Sequence, residues 1–262
     1  MMIRLLPLLL LLLAGTQGFG ESHLTLRVLT YNIHHAEGTD RRLDVERVAA
    51  VIERLQPDLV ALQEVDIGTV RAGGIDELRE IARRTSLNAE FGKTMDYDDG
   101  AYGVAVLSRW PIGSARTREL PGAPDREPRA ALSVNITPFG RGPLLQFTST
   151  HFDQGRESEN RLAQANALDD LLAAGNGPSI LAGDMNARRD TDVMQALEAS
   201  WTNTASLDGV PLDALGRPRS RGDHILVRPA QSWRVVEWQV VDETVTSDHR
   251  PILAILEWLG AH

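Results

Sequence analysis

Ser179-Ile180-Leu181-Ala182-Gly183-Asp184-Met185-Asn186 is the stretch from which the rest of this 262-residue chain is best read. The apolar run Ile180 to Ala182 reads as the end of a buried strand. Gly183 permits a close backbone approach, and two oxygen-bearing side chains follow at alternate positions. On extended backbone, residues two apart point the same way, so Asp184 and Asn186 reach one site if that geometry outlasts the strand. A carboxylate and an amide leaving a sheet edge together suit a hard divalent ion, an activated water or a phosphate ester. The plain alternative is an Asx turn at a strand end. The stretch alone does not choose between them.

Its flanks are helical. Glu159 to Ala173 sets Leu162, Ala165, Leu168, Leu171 and Leu172 at helical spacing, and the turn Gly175-Asn176-Gly177-Pro178 leads into the strand. A further helix over Asp192 to Ala199 turns Val193 and Leu197 inward. Earlier in the chain, strands are predicted at Leu24–Tyr31, Leu59–Leu62, Tyr102–Ser108, Ala130–Ile136 and Leu144–Ser149. Helices are predicted from Val45 up to Pro57 and over Ile75–Ser86. The last third brings strands at Ile225–Val227, Trp233–Val241 and Ile252–Leu256 with no helix between them. Not every connection is therefore a βαβ crossover. The expectation is an α/β fold with a mixed or antiparallel sheet arrangement, two sheets packed face to face with helices outside.

Arg4, the apolar run Leu5–Ala14 and the small residues that follow read as a signal peptide over residues 1–20. The run is shorter than the roughly 20 apolar residues of a membrane span. Residues 21–262 are then expected to form one domain, since no linker, repeat or block of like charge divides them. The expected product is exported, periplasmic or extracellular, monomeric and without a transmembrane segment. There are no cysteines, so disulfides and thioether-linked lipid are excluded. The formal net charge of −9 argues against tight non-specific binding to duplex nucleic acid.

Five polar clusters fall at predicted strand ends: Asn32, Glu64, His151, Asp184 with Asn186, and Asp248-His249. Each alone is what any strand shows where the surface begins. Together they supply carboxylate and amide oxygens for a hard ion, and imidazoles for a phosphoryl group or a proton. No closely spaced His/Cys set points to zinc, and neither a phosphate-binding glycine loop nor a nucleophile elbow is present.

The ordered segments Leu29-Thr30-Tyr31-Asn32-Ile33, Leu62-Gln63-Glu64-Val65-Asp66, Tyr102 to Arg109, Thr150-His151-Phe152-Asp153, Gly183-Asp184-Met185-Asn186 and Ser247-Asp248-His249-Arg250-Pro251 resemble the motifs of the endonuclease/exonuclease/phosphatase superfamily. The resemblance implies a four-layer α/β sandwich and a Mg²⁺-dependent phosphoester hydrolase, with Mn²⁺ as a possible substitute. It implies Glu64 as principal metal ligand, with Asn32 and Asp248 near the same ion. Asp184 would orient or deprotonate the attacking water, Asn186 would hold the phosphate or that water, and His151 and His249 would donate to phosphate oxygens. Asp223 matches the family's penultimate motif and would pair with His249; the residue after it is His224 where the family usually has tyrosine. Arg126 and Arg129 both match arginine-bearing positions, and either could clamp a phosphate. His35, past Asn32, is similar to a histidine of the small bacterial and lipid-linked hydrolases, and is a candidate substrate contact. The acidic charge and the leader favour a small or lipid-linked phosphoester. A secreted DNase-like endonuclease is the first alternative, and a silent binding module the remote one.

Overall fold

The computed structural model describes residues 24–140, 143–172, 177–206 and 222–260. The leader expected over residues 1–20 lies outside the described residues. Among these the chain runs β1 (Leu24–Asn32), α1 (Val45–Leu55), β2 (Leu59–Ile67), α2 (Glu77–Thr85), β3 (Asn88–Tyr97), β4 (Gly100–Ser108), β5 (Ile112–Leu120) and β6 (Arg129–Ile136). It continues through β7 (Leu145–His151), α3 (Glu159–Leu172), β8 (Ser179–Asp184), α4 (Asp192–Glu198), β9 (Thr202–Asn203), β10 (Asp223–Arg228), β11 (Trp233–Val240) and β12 (Ile252–Trp258).

Strand alternation explains the layers. Leu26 and Val28 of β1 face one way, Leu29 and Tyr31 the other, and all four are fully buried. A strand buried on both faces belongs between two packed layers. The first set joins Ala61, Val106, Phe147, Ile180, Ala182, Ile225 and Ala254 in a core between two sheets. The second packs with Val48, Ile52 and Ile81 under α1 and α2. On the far side, Leu181 and Leu226 meet Ala165, Leu168, Val193 and Leu197 of α3 and α4. The result is helix, sheet, sheet, helix, the expected four-layer sandwich.

The sheets have six strands each, in the orders β11-β12-β1-β2-β4-β3 and β5-β6-β7-β8-β10-β9. Both are mixed: β1 runs parallel to β2 and β7 parallel to β8, while the other neighbours are antiparallel. Parallel pairing brings the C-terminal ends of β1 and β2, and of β7 and β8, to one edge of each sheet. Side chains cap the two helices of the first layer, Asp44 accepting from the Arg47 amide and Asp76 from the Arg79 amide.

The expected helices form within a residue or two of their predicted bounds. Three strands were not foreseen, β3, β5 and the two-residue β9. All three are sheet edges, and β5 is exposed at seven consecutive positions, Gly113 to Glu119. A strand wet along its length has no apolar alternation to read.

His224 proves to be a packing residue. It is buried on β10, where its Nδ1 accepts from Asn203 (3.2 Å) and its Nε2 donates to the Ala187 carbonyl (2.8 Å). Burial holds its pKa down to about 4 against an ordinary 6.5. Below pH 6.5 the unfolded chain takes up a proton that the folded chain refuses, so stability falls as pH drops from 6.5 toward 4. At about 1.4 kcal/mol per pKa unit this one ring costs on the order of 3 kcal/mol between pH 7 and 4. His35 and His151, also held neutral by burial, act in the same direction. Replacing His224 by Gln should therefore shrink the fall in melting temperature on acidification by several degrees. An unchanged fall would show that the ring is not the source.

Candidate active site

The edge where the parallel pairs end carries the chemistry. Register sets His151 opposite Asp184 across β7 and β8, and Asp223 opposite Asp184 across β10 and β8. Three side chains from distant parts of the chain thus sit at one corner. From the other sheet, Asn32 ends β1, and Glu64 is delivered by a bulge. Leu62 pairs with Ala105 and Val65 with Gly103, leaving Gln63 and Glu64 opposite a single residue. Glu64 takes φ +58°, a left-handed conformation inside a strand that continues to Ile67. Strain of this kind in a non-glycine residue marks a position where aim outweighs backbone comfort.

The end of β8 resolves the two readings of Asp184 and Asn186 by satisfying both. Extended backbone stops at Asp184, and Asn186 turns left-handed at φ +46°. The Asn186 amide donates to Asp184 Oδ1 at 2.8 Å, an Asx turn, yet both side chains line the same cleft. Gly222 makes this corner possible. Its carbonyl accepts from the Met185 amide, and a Cβ there would lie 2.7 Å from Asp184 Oδ1 and 2.9 Å from Asn186 Cα. Gly183 is as constrained, since a Cβ would run into the carbonyl of Thr150 on β7.

The cleft has a volume of about 300 Å³. His35, Glu64, Arg129, His151, Asp184, Asn186, Asp248 and His249 line it, and Asn32 and Asp223 brace it from behind. Asn32 is fully buried; its Oδ1 accepts from the His34 amide, while its Nδ2 donates to Glu64 (2.9 Å) and Asp184 (3.3 Å). It presents nitrogen, not oxygen, to the carboxylates and spaces them. Ser247 ties the last loop to this point by donating to the Asn32 carbonyl at 2.8 Å, which seats Asp248 and His249.

The two catalytic-site imidazoles are set in opposite charge states. His151 is buried, and its Nδ1 lies 2.8 Å from Arg129 Nη1. A guanidinium only donates, so Nδ1 accepts and the ring proton sits on Nε2, 3.2 Å from the side-chain amide of Asn186 and 3.7 Å from Asp184 Oδ2. Burial, with the charges of Arg129 and His249, holds this ring neutral, well below its ordinary pKa. His249 is the reverse. Burial works against its charge, but Asp223, bonded to Nδ1 at 3.0 Å, outweighs it together with Asp184 and Asp248 and pushes the pKa up to about 10. Asp184, buried and facing Asp223, is pushed up to about 6.

Of the two arginines, Arg129 reaches the cleft and Arg126 does not. Arg129 is 2% exposed and bridges His151 and Glu127. Arg126 folds onto Asp153 with two bonds, 3.1 and 2.9 Å, and fixes the loop after β7.

Two clusters are able to hold a metal ion, His34 with His35 and Glu64, and Asp184 with Asp223 and His249, each with ligand atoms within 4.8 Å of one another. The donors around Glu64 fit a divalent cation. His35 Nδ1 is buried and makes no hydrogen bond among the described residues, an orphaned ring nitrogen on a side chain grouped with the Glu64 carboxylate. His34 and His35 reach this position because three consecutive residues, His34 to Ala36, adopt positive φ. Sequence spacing gave no sign of that. Arg71, Tyr97 and Tyr102 complete one wall of the cleft. The equipment as a whole is that of a metal-dependent hydrolase of phosphoric esters.

The chain is 26% identical over 249 residues to the uncharacterized protein YbhP of Escherichia coli (strain K12), covering 88% of this chain and 95% of that one. An endonuclease/exonuclease/phosphatase crystal structure from Beutenbergia cavernae matches with a TM-score of 0.72 and 24% identity, over 90% of this chain and 72% of that one. A mannosyl-6-phosphatase of Bacteroides thetaiotaomicron matches with a TM-score of 0.69 and 19% identity, over 88% and 99%. These two likenesses are of fold. A family model described as endonuclease/exonuclease/phosphatase matches residues 29–249, a span that holds the whole cleft from Asn32 to His249, and the chain belongs to that family.

Proposed function

We propose that the protein is an exported, Mg²⁺-dependent phosphodiesterase or phosphatase acting on a small or lipid-linked phosphoester. The observation that carries the choice of substrate is the cleft itself: about 300 Å³, almost wholly polar in its lining, and walled by the β3–β4 hairpin. The tip of that hairpin exposes Asp96, Asp98 and Asp99 beside the mouth. Asp96 is paired with Lys93, and Asp98 and Asp99 leave the tip net negative, which repels the backbone of a polyanion. A compact phosphoester reaches Arg129 and His249 without crossing it. Among the described residues no helix is long and apolar enough to cross a membrane.

Glu64 and Asp248, with the His34 and His35 nitrogens close by, would hold the ion. Bound there, Mg²⁺ would neutralise charge on the phosphoryl oxygens. His249, as imidazolium, and the Nε2–H of His151 donate to the non-bridging oxygens, where negative charge grows as the ester is cleaved. Asp184 lies 3.7 Å from both rings and accepts the proton of the attacking water. Asn186, anchored to the Phe152 carbonyl at 3.0 Å, limits where that water and the phosphate sit.

The test is hydrolysis of a phosphoester panel after EDTA treatment, with Mg²⁺ or Mn²⁺ restored, alongside calorimetric metal binding. Activity should return with either ion, and Glu64→Gln should weaken metal binding at least tenfold. A folded protein that cleaves no panel member would reject the hydrolase. Plasmid nicking that exceeds all small-ester activity would replace the proposed substrate with DNA.

A further inference from the structure

The wall of the cleft away from the imidazoles is built around an arginine that the chemistry above does not use. Arg71 lies in the loop between β2 and α2 and lines the cleft. Its Nε and Nη2 grip Asp66 at 2.6 and 2.9 Å, and Asp66 is fully buried and held in turn by Thr69 at 2.6 Å. The guanidinium carbon sits 4.5 Å from the ring centre of Tyr97 and 5.6 Å from that of Tyr102. The Arg71 amide donates to Asp98, which locks the loop to the hairpin tip. The side chain is thus fixed by a fork on one edge and by two rings on its face.

Two observations separate this from an ordinary structural ion pair. The loop closes without it: the Gly68 amide bonds Ile75, Gly73 bonds Val70 and Gly74 bonds Thr69. The far edge of the guanidinium is also unspent, since Nη1 makes no hydrogen bond among the described residues. Its side chain lines the same cleft as Glu64, Arg129 and His249. A cation fixed in advance, with donors still open, binds an anion at little cost in side-chain entropy.

We propose that Arg71 is a specificity residue that binds a second anionic group on the substrate, so that the preferred phosphoester is a small molecule carrying a further carboxylate or phosphate besides the one cleaved. This rests on the phosphoesterase reading above, and the test keeps the two apart. Glycerol 3-phosphate and 3-phosphoglycerate differ by one carboxylate. Their binding is measured by calorimetry with Mg²⁺ present in the Asp184→Asn background, where turnover is suppressed. With Arg71 in place, 3-phosphoglycerate should bind about tenfold more tightly. Arg71→Gln should bring that ratio close to one, and Arg71→Lys, which keeps the charge and loses the fork, should leave a partial preference. Melting temperatures of each variant check that the loop is intact.

Equal affinities with Arg71 present, a preference that survives Arg71→Gln, or no binding of either probe overturns the proposal. Arg71-dependent binding in a protein that hydrolyses no phosphoester would keep the clamp and remove the hydrolase. Hydrolysis with no dependence of selectivity on Arg71 would do the opposite.

Discussion

Asp184→Asn should cut phosphoester hydrolysis on the order of 10³-fold while leaving the chain folded. The residue is the meeting point of both sheets: β8 carries it, β7 sets His151 beside it, β10 sets Asp223 beside it, and β1 reaches it through Asn32. Asparagine keeps the oxygen that accepts from the Asn186 amide, so the turn after β8 persists. What goes is the acceptor for the water's proton. In the folded, metal-free chain that charge is costly, because burial and Asp223 both disfavour it and push the pKa up. Removing it should leave the melting temperature unchanged or raise it. Loss of activity with an unchanged or higher melting temperature distinguishes a chemical role from a packing one. Activity above about a tenth of wild type would show that another group accepts the proton. A lowered melting temperature would show that the carboxylate holds the corner together.

The parts of this site that were legible in the sequence are those written locally. Strand ends are visible because apolar runs stop, and Asn32, His151 and Asp184 each follow such a run. Their ordered recurrence then carried the family resemblance, and with it the four layers. What stayed hidden depends on pairing between distant segments. The bulge at Glu64 exists only against β4, so Leu59–Leu62 looked like a short strand when β2 runs on to Ile67. The choice between Arg126 and Arg129 turns on strand parity: Arg129 opens β6 beside His151, whereas Arg126 lies in the preceding loop within reach of Asp153. Tyr97 and Tyr102 face Arg71 because β4 pairs with β2, placing the hairpin against a loop some thirty residues away along the chain, roughly one strand–helix unit. Lys93 to Ala101 is mostly the β3–β4 hairpin itself. Local patterning reports burial, and these features are neither buried runs nor local.

Asp223→Asn tests the same corner from its other side and should cost about 10²-fold in turnover. Asp223 touches no reacting atom; it acts through His249. Its Oδ2 accepts from His249 Nδ1 at 3.0 Å, which fixes the ring and leaves Nε2 directed at the cleft, 3.7 Å from Asp184. Burial alone would strip the ring of its proton, and the Asp223 charge is the main force that prevents this. The donor is then present below its pKa and lost as pH rises through it. In wild type that limb should fall near pH 10. With asparagine in place of Asp223 the effect of burial is far less opposed, so the alkaline limb of the rate profile should move down toward the ordinary histidine range. A merely structural aspartate would lower the rate at every pH and leave the limb where it was. His249→Gln removes the donor outright, so it should lose at least as much activity, and adding Asp223→Asn to it should cost little more, because the two act as one unit. Full additivity of the pair would mean that Asp223 has a task of its own, and the nearest one is its repulsion of Asp184 across the β8–β10 register, which adds to burial in raising the proton affinity of the base.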